Sequence, residues 1–291
     1  MTVTDTPKRI LMATDLGARC DRALARAALL ARTWHAGLVV AHVVHPAEVT
    51  HRERLTASAP SWRRPRSWVQ QLQRVLDSEL ASEGIDARPV VIAGSTDLAV
   101  RQAAIDEAAD LVVLGAAKDA TMDRIQSGST VDHLVRHSHT PVLNVRGRAR
   151  SPYRHVVVAT DFSAPALQAL RLAARWFPDA RLTLFHAYTP PGPMPGDADA
   201  ASESWRATIH RQCDAHLAEA ALPQSSASRL ERILERGAPE ALLADYAAWA
   251  DVDLVVMGSA GRSGLSRALL GSTAENLLHA LDCDTLVVRA G

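Results

Sequence analysis

The chain has 291 residues, 47% hydrophobic and 22% charged, a globular composition with enough length for two ordinary domains. Its 32 basic and 32 acidic residues balance to zero formal charge, so no net field draws it to nucleic acid or an anionic membrane. Three scattered cysteines, Cys20, Cys213 and Cys283, signal neither a disulfide framework nor a zinc site; with no leader-like start and no apolar run of about 18 residues, a cytoplasmic location is expected.

In chain order, Arg9 to Ala13 predicts a first strand and Ala18 to Trp34 an amphipathic helix. Further strands are predicted at Leu38 to Val44, Pro89 to Ala93, Leu111 to Leu114 and Val142 to Val145. Their apolar residues are continuous rather than alternating, which implies burial on both faces and a parallel sheet. Pro46 to Arg66, rich in arginine and histidine, falls outside this regular pattern. Gly147 to Pro152 punctuates the end of a strand and marks a boundary between domains 1-148 and 152-291.

The same order then recurs. Strands are predicted at His155 to Ala159, Leu182 to Ala187, Leu230 to Glu235, Leu254 to Met257 and Thr285 to Val288. Ser163 and Pro165 suit the start of a helix running to Trp176. Gly237-Ala-Pro239-Glu240 opens a later helix, and Ala274 to Leu281 forms the last. Thr189 to Ser204 contains Pro-Pro-Gly-Pro-Met-Pro-Gly-Asp, whose proline and glycine density predicts a mobile surface loop with neither helix nor strand.

Sliding the chain on itself by about 143 to 146 residues superposes Met12-Ala-Thr-Asp15 on Val158-Ala-Thr-Asp161. The run Asp110 to Gly115 falls on Asp253 to Gly258, and Gly128-Ser-Thr130 on Gly271-Ser-Thr273. Order and spacing are kept, so the chain is a duplicated domain; the period is far too long for a solenoid. Each half reads as a five-strand α/β domain built from βαβ units.

In the second half, Gly258 and Gly261 follow a predicted strand, and Gly271-Ser272-Thr273 comes nine residues later. In an open α/β sheet, ligands bind beyond the carboxyl ends of the strands. Glycines admit backbone angles barred to other residues and let a ligand approach the main chain. Gly271-Ser272-Thr273 opens a helix whose free N–H groups and positive dipole end favour phosphate, and the two hydroxyls add donors. Asp161 ends the first strand of this half; as a carboxylate it only accepts hydrogen bonds, which suits a ribose hydroxyl or an adenine amino group. The plainer reading makes Asp161 a helix cap and the glycines ordinary turns.

These residues resemble the universal stress protein family, whose nucleotide-binding members carry G-2x-G-9x-G-[S/T] after the fourth strand and an Asp ending the first. Gly258, Gly261, Gly271 and Ser272 match each fixed position, and Asp161 matches the Asp. The resemblance covers nearly the whole chain as a tandem pair. It implies two five-stranded parallel sheets of order 3-2-1-4-5 with helices on both faces, and ATP as ligand, accompanied by Mg2+ or Mn2+. By the same resemblance Ala159 and Ala187 meet the adenine and Thr273 adds a phosphate contact; Arg262 and Arg267, in the intervening segment, either reach phosphate oxygens or are simply solvated.

The first half departs at Lys118, which stands where the second glycine would be and either fills the phosphate space or acts as a point charge. Asp15, Gly115, Gly128, Ser129 and Thr130 persist as a second candidate site, beside the plainer reading that this copy is retained for its fold and its pairing surface. His42 and His186 align at the ends of the second strands and are read as structural, since no nucleophile is patterned beside them.

The sequence therefore points to an ATP-binding sensor or regulator of the stress response, with adenine nucleotide as ligand, a homodimer as assembly and a regulatory protein as further partner. No nucleic acid or membrane partner is expected, and no residue is assigned a catalytic role. Two alternatives stand beside it: a slow ATPase or nucleotidyl transferase using the same cleft, and a nucleotide-free scaffold that binds a protein partner.

Overall fold

The computed structural model describes residues 6–18, 20–57, 60, 62, 67–118, 125–126, 129–189, 198–259 and 270–289. Two compact units divide the chain, Met1–Leu134 with Val142–Pro152, and Val135–Pro141 with Tyr153–Gly291.

In unit 1, β1 (Arg9–Thr14) leads to α1 (Asp21–Trp34), β2 (Gly37–Val44), α2 (Pro46–Ala57), α3 (Trp68–Ser82), β3 (Arg88–Ala93), α4 (Thr96–Asp106) and β4 (Leu111–Gly115). A short antiparallel ladder of β5 (Ala117–Lys118) and β6 (Ile125–Gln126) follows, then α5 (Ser129–His137) and β7 (Val142–Val145). The parallel sheet runs β3-β2-β1-β4-β7.

Unit 2 comprises β8 (His155–Ala159), α6 (Ala164–Trp176), β9 (Arg181–Tyr188), α7 (Ala198–Ala220), α8 (Gln224–Ala227), β10 (Glu231–Arg236), α9 (Pro239–Trp249), β11 (Leu254–Gly258), α10 (Ser272–Ala280) and β12 (Asp284–Val288). Its parallel sheet runs β10-β9-β8-β11-β12.

The central strands carry unbroken apolar runs because helices cover both faces: Ile10, Leu11 and Met12 in β1, and Val156, Val157 and Val158 in β8, are 0% exposed. Beside them α6 buries Leu167, Leu170, Ala173 and Ala174. The repeated aspartate before each fourth strand has a structural task. Asp110 Oδ2 accepts from the backbone N–H groups of Lys8 and Arg9, and Asp253 Oδ2 from those of Arg154 and His155, tying the first strand to the approach of the fourth in each unit.

Two segments differ from expectation. Pro46 to Ala57 is helical although the sequence shows no apolar stripe there, because the helix buries almost nothing; Val49 alone is half-buried within Pro46–Val49, and Leu55 is 62% exposed. Its hold on the unit includes the Arg52 guanidinium over the Trp68 ring, 4.9 Å from the centroid. The predicted loop Thr189 to Ser204 ends earlier than its composition suggests. Its prolines and glycines, 190–196, lie outside the described residues, and α7 begins at Ala198, so the last seven residues of that segment are helix. The first helix also starts at Asp21 and not Ala18, after a turn in which Leu16 is left-handed at φ 59°.

Candidate functional site

β8 and β11 are neighbours in the unit 2 sheet, and the chain leaves them in opposite directions, toward β9 and toward β12. This is the point in an open parallel sheet where two strand ends diverge and leave a crevice. A cleft of about 310 Å³ opens there, lined by the ends of β8, β9 and β11 and by the starts of α6, α9 and α10. That is the low end of the range typical of small-molecule sites, roughly 300 to 1,000 Å³.

Ala159, Asp161, Ala187, Gly258, Gly271, Ser272 and Thr273 all line this cleft. Gly261, Arg262 and Arg267 lie outside the described residues. Sequence reasoning did not single out Thr160, Phe185, Leu243, Met257 or Leu277, which also line it; the last four are apolar. Pro239 lines it as well; it was legible as a helix opener, but not as a wall of the cleft.

Helix α10 supplies the polar end. Its N-cap is Gly271, at φ −65° and ψ 141°, and no side chain caps it. The first intrahelical bond runs from Glu275 N to Gly271 O at 2.9 Å, so Ser272, Thr273 and Thr273's neighbour Ala274 present first-turn N–H groups at the positive end of the helix. Gly271 N donates to Ser259 O at 2.9 Å, and Ser259 N to Val288 O at 2.9 Å, which fixes the start of α10 against the end of β11.

Gly258 is held to glycine by packing. A Cβ there would lie 2.7 to 2.8 Å from the backbone of Pro165 and Ala166, and its φ is not among the positive values of the described residues. The expectation that Gly258 serves through unusual torsions is therefore replaced by close approach of α6.

Asp161 begins a tight turn. Its Oδ1 accepts from Ser163 N at 3.0 Å, while Ser163 Oγ, as N-cap of α6, accepts from Ala166 N at 3.4 Å. The capping role thus belongs to Ser163, and Asp161 organises the turn before it. Thr160 Oγ1 accepts from Phe162 N at 3.0 Å, and the Thr160 carbonyl accepts from His186 Nδ1 at 2.7 Å. His186 is therefore engaged with the main chain through one ring nitrogen.

Unit 1 builds the same turn with different occupants. Thr14 Oγ1 accepts from Leu16 N at 3.0 Å and Thr14 O from His42 Nδ1 at 2.9 Å. Asp15 Oδ1 accepts from Gly17 N at 2.8 Å and from the Cys20 thiol at 3.1 Å. Burial, together with the hydrogen bond to Asp15, pushes the Cys20 thiol up to about 11, so it stays protonated and inert near neutral pH. In the repeat Cys20 falls where unit 2 has Ala166, a residue of the cleft wall. Gly115 ends β4, and Ser129 and Thr130 open α5. Lys118 pairs through its backbone with Ile125; its side chain and Gly128 lie outside the described residues.

A family model described as the universal stress protein family matches residues 6–146 and again 152–289. A stretch of 56 residues is 45% identical to universal stress protein E of Salmonella typhi, covering 19% of this chain and 18% of that protein, less than a fifth of the relative's length. Over 98% of the chain, the fold matches a universal stress protein from Archaeoglobus fulgidus DSM 4304, with TM-score 0.67, 18% identity and 99% of that chain covered. A putative universal stress protein from Pseudomonas aeruginosa UCBPP-PA14 matches 98% of this chain and 94% of its own, with TM-score 0.67 and 21% identity. At such identities the structural matches speak for the fold.

Proposed function

The chain belongs to the universal stress protein family, and from that premise we propose that unit 2 binds ATP in the cleft at the β8–β11 divergence and acts as a nucleotide-dependent sensor or regulator. One observation carries this reading. Ala159, Asp161, Ala187, Gly258, Gly271, Ser272 and Thr273 come from four separate stretches of chain and share one cleft, together with apolar side chains and an uncapped helix start.

The fit to a nucleotide is chemical as well as spatial. Phe185, Leu243, Met257 and Leu277 offer an apolar surface for a flat base. The first turn of α10 would hold phosphate oxygens through N–H groups that no side chain caps. Asp161 would accept from a ribose hydroxyl or an amino group. Bound nucleotide supplies a phosphoanhydride whose charge Mg2+ or Mn2+ can share; among the lining residues that are described, Asp161 is the one carboxylate, which favours holding the nucleotide over hydrolysing it.

The test starts with protein purified without added nucleotide, denatured to release ligands for mass spectrometry, followed by calorimetric titration with ATP in the presence of Mg2+ or Mn2+. The expected result is one adenine nucleotide per chain and saturable ATP binding that Gly261→Val abolishes. Absence of both released nucleotide and calorimetric binding would leave the scaffold reading in its place.

A further inference from the structure

The turn that carries Asp161 is built twice in this chain, with different groups packed against each copy. In each unit a threonine hydroxyl accepts from the N–H two residues on, the residue between aspartate and helix is held left-handed (Leu16 at 59°, Phe162 at 61°), and a histidine of the next strand donates to the threonine carbonyl. In unit 2 alone, among the described residues, a further imidazole reaches the threonine hydroxyl: His216 of α7, with Nε2 3.3 Å from Thr160 Oγ1. The Phe162 ring lies against both imidazoles, 4.2 Å from His186 and 5.5 Å from His216 between centroids. The unit 1 turn forms without such a ring, so His216 is an addition to the turn and not a condition for it.

The proton inventory determines what the addition does. Thr160, 8% exposed, already accepts from Phe162 N, and its own hydroxyl proton needs an acceptor. His216 Nε2 meets that need only when the ring is neutral with its proton on Nδ1. The ring is 4% exposed. It faces Asp161 from the turn, His186 from β9, Arg171 from α6 and Glu219 from its own helix. Burial is the largest influence and holds its pKa below the ordinary value, with Glu219 and Asp161 opposing and Arg171 and His186 assisting. A proton on Nε2 removes the acceptor for the Thr160 hydroxyl and sets a buried cation in the field of Asp161, which draws on the same carboxylate charge as a ligand donor.

We propose that His216 is a positioning residue for the cleft, holding the Thr160–Asp161 turn in its ligand-receiving form while its ring is neutral and releasing it on protonation, so that nucleotide affinity falls in acid. The proposal rests on the nucleotide reading of the cleft. By linkage, a ligand that binds the neutral form loses affinity as pH falls toward and through the ring's own pKa, which lies below the ordinary imidazole value of about 6.5.

The experiment is calorimetric titration of the full chain with ATP from about pH 8 to about pH 5.5, a span that brackets that ordinary value, for the wild type, His216→Gln, Thr160→Val and Thr160→Ser. ATP's own phosphate titration is common to all four and cancels in the comparison. The wild-type Kd weakens across the span several-fold more than that of His216→Gln; a ring whose free pKa lies below about 6.5 is at most about nine-tenths protonated at about pH 5.5, which caps the linked change near tenfold. Thr160→Ser, which keeps the hydroxyl, retains the wild-type pH slope, whereas Thr160→Val flattens it. Equal slopes for wild type and His216→Gln, or an undiminished slope in Thr160→Val, overturn the proposal and leave ATP binding standing. Failure of the wild type to bind ATP at about pH 8 overturns the nucleotide reading itself, and this proposal with it.

Discussion

A Cβ at Gly258 would sit 2.7 Å from the Pro165 carbonyl carbon and 2.8 Å from the Ala166 nitrogen. Neither atom belongs to a flexible side chain, so the contact can be relieved only by moving α6. Gly258→Ala is expected to destabilise unit 2 by about 1 to 3 kcal/mol, as overpacking against a fixed backbone does, and urea unfolding read by circular dichroism checks it. An unchanged midpoint would show that α6 shifts freely. At this scale the sequence disclosed Asp161 and Ser163, because a strand end followed by a helix cap is a local pattern. His216 stayed hidden, since 56 residues separate it from its partner Thr160 and its helix carries no signal for that contact.

Helix α10 begins on a glycine whose torsions, φ −65° and ψ 141°, suit any residue. What glycine contributes there is the lack of a side chain, which leaves the first-turn N–H groups for a ligand. Gly271→Asp would install a cap, stabilising the helix by a few tenths of a kcal/mol, since glycine is itself a tolerable N-cap, and place a carboxylate where phosphate charge is expected. The melting temperature should rise while ATP affinity falls by at least about tenfold, the effect of roughly 1.4 kcal/mol. Unaltered affinity would mean that the phosphates do not sit at α10. Elements with a buried face were legible from their apolar spacing, as α1 and α6 were. Helix α2 was not, because it is almost entirely exposed and periodicity reports burial, not helicity. The start of α7 was missed because proline and glycine density was read up to Ser204, whereas the last proline of that run is Pro195 and the helix begins three residues later.

Across the molecule, two units share a strand plan and a threonine–aspartate turn but differ in what surrounds that turn: Cys20 bonded to Asp15 in one, His216 bonded to Thr160 in the other. ATP at about 100 times its Kd should stabilise the unit that binds it by about 2.7 kcal/mol. Hydrogen exchange on the full chain checks where that stabilisation falls. Slowed exchange is expected at residues 159–163, 254–259 and 271–275, with the counterpart segments 13–17 and 111–116 unchanged; equal protection of both sets would assign a site to each unit. The sequence by itself determined the duplicated parallel α/β plan, the strand positions and most of the cleft's polar residues, because apolar runs, glycine turns and a constant offset are properties of neighbouring residues. Only the tertiary structure decided that Phe185, Leu243 and Leu277 complete that cleft, that α6 dictates Gly258, and that His216 faces Thr160. Those contacts depend on which strands pair and how each helix is turned over the sheet, and local periodicity encodes neither.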